Sequence, residues 1–130
     1  MKQKLMYVEL KTGYEDNGPA WIGMASFSKT GQTVYFNGLI FLKGERHSGG
    51  NHLEYFTGDS YWISGIKKTG EDRHWAGSGK IKIDKQIVEQ YLETTKLSKL
   101  PSDKFDLVDF ENNQPIQEFN ILENKKLETF

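Results

Sequence analysis

A chain of 130 residues holds one domain of ordinary size. It contains no cysteine, which excludes disulfide stapling, thiolate catalysis and Cys-based zinc sites. The net charge is -1, yet residues 1–100 carry 14 Lys+Arg against 11 Asp+Glu while residues 101–130 carry 3 against 7, so a mildly basic body precedes an acidic tail.

The N-terminal MKQKLMYVEL has no apolar run long enough for a signal peptide or a membrane span, so a cytoplasmic protein without a membrane partner is expected. Met6 to Leu10 reads as a first strand. Asp16-Asn17-Gly18-Pro19 is a dense turn signal. Ala20 to Phe27 reads as a second strand with Trp21, Gly23, Ala25 and Phe27 on one face and Ile22, Met24 and Ser26 on the other. Ser28-Lys29-Thr30-Gly31 is a hairpin turn with Gly at its last position. Thr33 to Leu42 is a third β region. The Asn37-Gly38 pair inside it suits a type I′ turn or a bulge, and a bulge or sharp bend is the reading preferred here, because small barrels need kinks to close. His52 to Phe56 and Tyr61 to Ile66 read as two strands joined across Thr57-Gly58-Asp59-Ser60.

Lys80-Ile81-Lys82-Ile83 alternates strictly, which places both isoleucines inward. Asp84 follows as an N-cap. Ile87, Val88, Tyr91 and Leu92 form an apolar stripe at helical spacing, so a helix is expected to about Thr94, finished before Pro101. Phe105, Leu107, Phe110 and Phe119 make the tail too apolar for a pure linker. The expected fold is mainly β: a small half-open barrel of the SH3-like or OB-like kind over residues 1–100, with one C-terminal helix and an extended acidic tail over 101–130.

The segments LKTGYEDNGPAWIG, KTGQTVYFNG and SGGNHLEYFTGDSYWISGIKKTGEDRHWAGSGKIKID resemble a family of small uncharacterised bacterial proteins over roughly residues 5–95. Some members bear the name of 1-deoxy-D-xylulose-5-phosphate synthase. This chain does not suit that name: a thiamine-diphosphate enzyme needs a diphosphate-holding motif and a far longer chain, and Gly58-Asp59 is followed by Ser60 inside a turn.

The densest chemistry lies between Tyr61 and Asp84. Lys67, Lys68, Arg73, Lys80 and Lys82 outnumber Glu71 and Asp72, and Tyr55, Tyr61, Trp62 and Trp75 lie close in sequence. Cations interleaved with aromatics suit single-stranded nucleic acid, while aromatic-lined grooves on small barrels suit extended peptides. The bland alternative is a salt-bridged loop whose aromatics are core. The expectation is a non-enzymatic binding module. Tyr14, Trp21, Lys67, Lys68, Arg73, His74 and Trp75 would form one basic and aromatic rim for a protein or a nucleic acid. The alternative is a small-molecule enzyme using His74 as acid or base, oriented by Asp72 or Glu71. No cofactor is expected, and His47, His52 and His74 match no metal-site spacing. Gly77-Ser78-Gly79 leads into a strand, unlike a phosphate loop, which leads into a helix. The acidic tail is expected either to complete the core or to lie across the basic rim.

Overall fold

The computed structural model describes residues 2–11, 18–44, 49–70, 72 and 79–111. Eight strands are seen there: β1 (Lys2–Leu10), β2 (Ala20–Phe27), β3 (Thr33–Phe36), β4 (Leu39–Lys43), β5 (His52–Glu54), β6 (Ser60–Gly65), β7 (Ile81–Asp84) and β8 (Phe105–Val108). The first six pair antiparallel in the order β1-β6-β5-β4-β3-β2, and β2 returns to β1 along its whole length, from Lys2↔Phe27 to Glu9↔Ala20. The protein is therefore mainly β, with a small barrel as expected, and the barrel is fully closed. Closure satisfies strand edges that an open sheet would leave to solvent.

Turn chemistry explains most of the connections. Gly31, at φ 75°, closes the β2–β3 hairpin with its N–H donating to Ser28 O (2.9 Å). Asn37 and Gly38 both have positive φ, 49° and 76°, and join β3 to β4 as a two-residue turn of type I′. The preferred bulge at this pair is thus corrected. Two positive φ values in succession reverse the chain outright and leave the β3–β4 ladder in register. After β5, Glu54 folds its carboxylate under the next turn: Oε2 accepts from Phe56 N–H (3.0 Å), Thr57 N–H (2.7 Å) and Thr57 Oγ1 (2.9 Å).

Alternation in β1 and β2 divides two cores. Met6, Val8, Ala25, Val34, Phe36, Phe41, Tyr61 and Ile63 fill the barrel. The opposite faces of the same two strands present Leu5, Tyr7, Ala20 and Ile22 outward to a second layer. That layer is built by β7, β8 and a short helical segment. Asp84 caps it, accepting from Gln86 N–H (3.2 Å), and a 3-10 turn (Lys85–Ile87) runs straight into α1 (Val88–Thr95). Ile81, Ile83, Ile87, Tyr91 and Phe105 complete the second core. Among the described residues no helix is long and apolar enough to cross a membrane.

Residues 101–111 belong to this architecture. β8 lies parallel to β7, from Ile81↔Phe105 to Asp84↔Val108. Lys80 and Lys85 reach Asp106 and Asp109 at 3.7 Å, so part of the acidic surplus after residue 100 faces lysines next to it; such exposed pairs contribute little to stability. The free edge of β2 is shared: β3 takes Ser26 and Phe27, and β7 takes Ala20 to Ile22. Phe110 fills the notch between them. Its ring lies where a Cβ on Gly23 would stand, and it meets Phe36 edge-on at 5.0 Å inside the barrel. Glu111 N–H then donates to Asn37 Oδ1 (2.8 Å). Phe119 and the rest of 112–130 lie outside the described residues.

Candidate functional site

Of the expected rim, Tyr14, Arg73, His74 and Trp75 lie outside the described residues, as do Glu71, His47 and Ser78. Trp21, Lys67 and Lys68 are described. Trp21 pairs with Val8 and belongs to the barrel core, 6.4 Å from Tyr61, with Lys82 Nζ 5.4 Å above its ring. Lys68 lines a depression with Lys4. Sequence proximity to other aromatics could not separate a core tryptophan from a docking one.

The turn that begins the polar loop is well held. Gly70 N–H donates to Lys67 O (3.0 Å), and Asp72 Oδ1 accepts from Lys67 N–H (2.7 Å). Burial raises the Asp72 carboxyl above the usual aspartate range, against the Lys67 N–H bond and the Lys67 charge, and its Oδ2 has no hydrogen-bond partner among the described residues. Tyr91 Oη is likewise buried without a partner among the described residues; burial first, then the charge of Asp72, pushes the Tyr91 hydroxyl upward. Gly70 packs near Tyr91, Thr95 and Leu97, which docks this turn on α1.

Two other polar clusters are structural in their contacts. On the outer face of β1, Tyr7 Oη donates to Glu9 Oε1 (2.5 Å) and Lys11 Nζ reaches Oε2 (2.7 Å), so a carboxylate only 4% exposed is held by two donors. In β5, register places His52 and Glu54 on the face of Phe41 and Tyr61, towards the barrel core. The Asn51 side chain copies a ladder rung against Ile63: its Oδ1 accepts from Ile63 N–H (2.8 Å) and its Nδ2 donates to Ile63 O (2.8 Å). That assignment makes His52 Nδ1, 2.8 Å from Asn51 Oδ1, the protonated nitrogen. Tyr61 titrates above its ordinary range because of burial, with Asp59 and Glu54 adding to the shift. Among the described residues no group of three or more His, Asp or Glu side chains could hold a metal ion.

Among the described residues, two concave depressions lie around the first residues of β1. One depression, of about 650 Å³, is the mouth of the barrel, lined by Lys2, Lys4, Met6, Phe27 and Lys29 among others. A second, of about 620 Å³, lies between the outer face of β1 and α1, lined by Leu5, Met24, Ile66, Lys68 and Gln90 among others. Lys4 belongs to both, and its amine lies close to Gly65. Among the described residues neither lining includes a carboxylate, and all four lysines are exposed. Sequence reasoning missed Lys2, Lys4 and Lys29. The signal was the Lys-x-Lys spacing in KQKLM, which a strand beginning at Lys2 places on one face.

No protein-family model, curated protein or solved structure matches this chain, so the likeness noted over residues 5–95 brings no assigned residue to the site.

Proposed function

We propose that this protein is a non-enzymatic binding module whose partner is an acidic segment of another protein, taken up at the lysine-lined end of the barrel. The observation that carries this reading is the cluster Lys2, Lys4, Lys29 and Lys68 around two adjoining depressions that no carboxylate lines among the described residues. Such clusters raise the local concentration of anionic partners and speed their encounter. Apolar side chains, Met6 and Phe27 in one depression and Leu5, Met24 and Ile66 in the other, add surface that a partner can cover. A nucleic acid is the less favoured partner. Single strands are held by bases stacking on exposed rings, and among the described residues the one aromatic lining either depression is Phe27, which is half-buried.

The test is the affinity of the full chain for polyglutamate and for oligothymidylate, each measured across a salt series. A variant with Lys2, Lys4, Lys29 and Lys68 all changed to Ser is compared with the parent. Polyglutamate binding that weakens with salt and falls about tenfold or more in the variant supports the reading. Equal affinity in parent and variant, or no polyanion bound at all, overturns it. Binding of oligothymidylate alone keeps the surface and changes the partner.

A further inference from the structure

We infer that the partner joins the sheet as an added strand along the edge of β1 at Gln3, and that it is an extended segment of alternating acidic and apolar side chains. The inference rests on the lysine-lined end being the binding site. Hydrogen-bond alternation along β1 locates the edge. Leu10 N–H donates to Pro19 O (3.0 Å) and Lys11 N–H to Ser60 O (2.9 Å). In the registers of these ladders the even residues of β1 therefore bond to β2 and the odd ones face β6. The β1–β6 ladder ends at Met6↔Gly65, where β6 departs and Ile66 packs into the outer core. Continuing the alternation, Gln3 points its N–H and C=O away from β2, and among the described residues no strand pairs with them.

The faces of β1 determine which side chains such a strand would carry. Lys2 and Lys4 pair with Phe27 and Ala25, so they lie on the barrel-mouth face, in the depression that also holds Lys29. Leu5 pairs with Met24 on the outer face, where Ile66 and Gln90 line the second depression. A strand laid on the edge between them sends successive side chains alternately into one and the other. Acidic groups meet the lysines on the first face, and apolar groups meet Leu5, Met24 and Ile66 on the second. A second copy of this chain is a poor occupant, since edge-to-edge pairing would set lysine against lysine. Lysines on an edge strand commonly deter such self-pairing. The same charges that refuse a copy of this chain accept an acidic one.

The experiment is fluorescence anisotropy of labelled peptides with the full chain. The probe is a peptide of alternating Glu and Val; the controls are a peptide with the same residues in two blocks, an alternating Lys-Val peptide, and the Glu-Val peptide N-methylated at every second residue. On the protein side, Gln3→Pro removes the outward N–H, which no β2 residue uses, and Gln3→Ala keeps it while removing the side chain. The expected result is binding of the alternating acidic peptide alone, weakened about tenfold by Gln3→Pro and little changed by Gln3→Ala. The N-methylated peptide tests the same bond without altering the protein. If alternating, blocked and N-methylated acidic peptides bind alike, strand addition is wrong while the lysine-lined site stands. If only oligothymidylate binds, strand addition is again overturned. If no acidic probe and no oligothymidylate binds, the lysine-lined site itself falls, and this inference with it.

Discussion

The two ends of β1 differ in almost every respect. From Met6 to Leu10 the strand is bonded on both edges, by β2 and β6, and covered on both faces, by the barrel core and the outer core. From Lys2 to Lys4, among the described residues, it is bonded on one edge, exposed, and lined by basic residues. One strand thus serves as the wall between two cores at one end and as an open shelf at the other. The contrast shows where this fold can gain a partner without losing stability: where burial has already stopped.

Substitutions at the two ends, and at the plug that seals the barrel, should separate these roles. The largest loss is expected from Phe110→Ala. Removing a buried ring that fills the notch between β3 and β7 should cost about 3–5 kcal/mol in chemical denaturation. A loss under about 1 kcal/mol would mean that residues after β8 do not complete the barrel. At the walled end, Tyr7→Phe removes one of the two donors holding Glu9 and should cost about 1–3 kcal/mol. At the open end, Lys2→Ser and Lys4→Ser should change stability by no more than about 0.5 kcal/mol while weakening binding of polyglutamate. A large stability loss there would make the two ends alike.

The smallest effect concerns Asp72. Its folded carboxyl titrates above its unfolded range, so its charge opposes folding at neutral pH, and that penalty fades as the group is protonated in acid. Asp72→Asn keeps an acceptor for Lys67 N–H. It should raise the melting temperature slightly at pH 7 and leave it unchanged at a pH below the ordinary aspartate range. A gain that persists in acid would assign the effect to packing instead.

Local rules carried much of the fold. Strict alternation in Lys80–Ile83 reported its buried face correctly, because half-buried strands repeat every second residue, and the two faces read from Ala20–Phe27 turn to two different cores. Asp84 capped a helical segment, and its stripe supplied Ile87 and Tyr91 to a core. What stayed hidden was non-local. Nothing around Phe110 announces that it sits opposite Gly23, some 87 positions earlier in the chain, and nothing in Trp21 distinguishes a core ring from a docking one. The binding surface was missed for the same reason: Lys2 and Lys4 look like ordinary N-terminal charges until the ladder shows that β6 stops at Gly65. At Asn37-Gly38 the local pair suited a type I′ turn as well as a bulge, and it was the demand for barrel closure that favoured the bulge.

The most direct test of the open shelf is backbone hydrogen exchange along β1, read amide by amide, in the free protein and with the alternating Glu-Val peptide at saturation. The Tyr7 and Glu9 amides should exchange slowly in both states, because both face β6. The Gln3 amide should exchange rapidly in the free protein and become protected when the peptide is bound. A Gln3 amide already protected without peptide, or one still exchanging rapidly at saturation, would contradict the account.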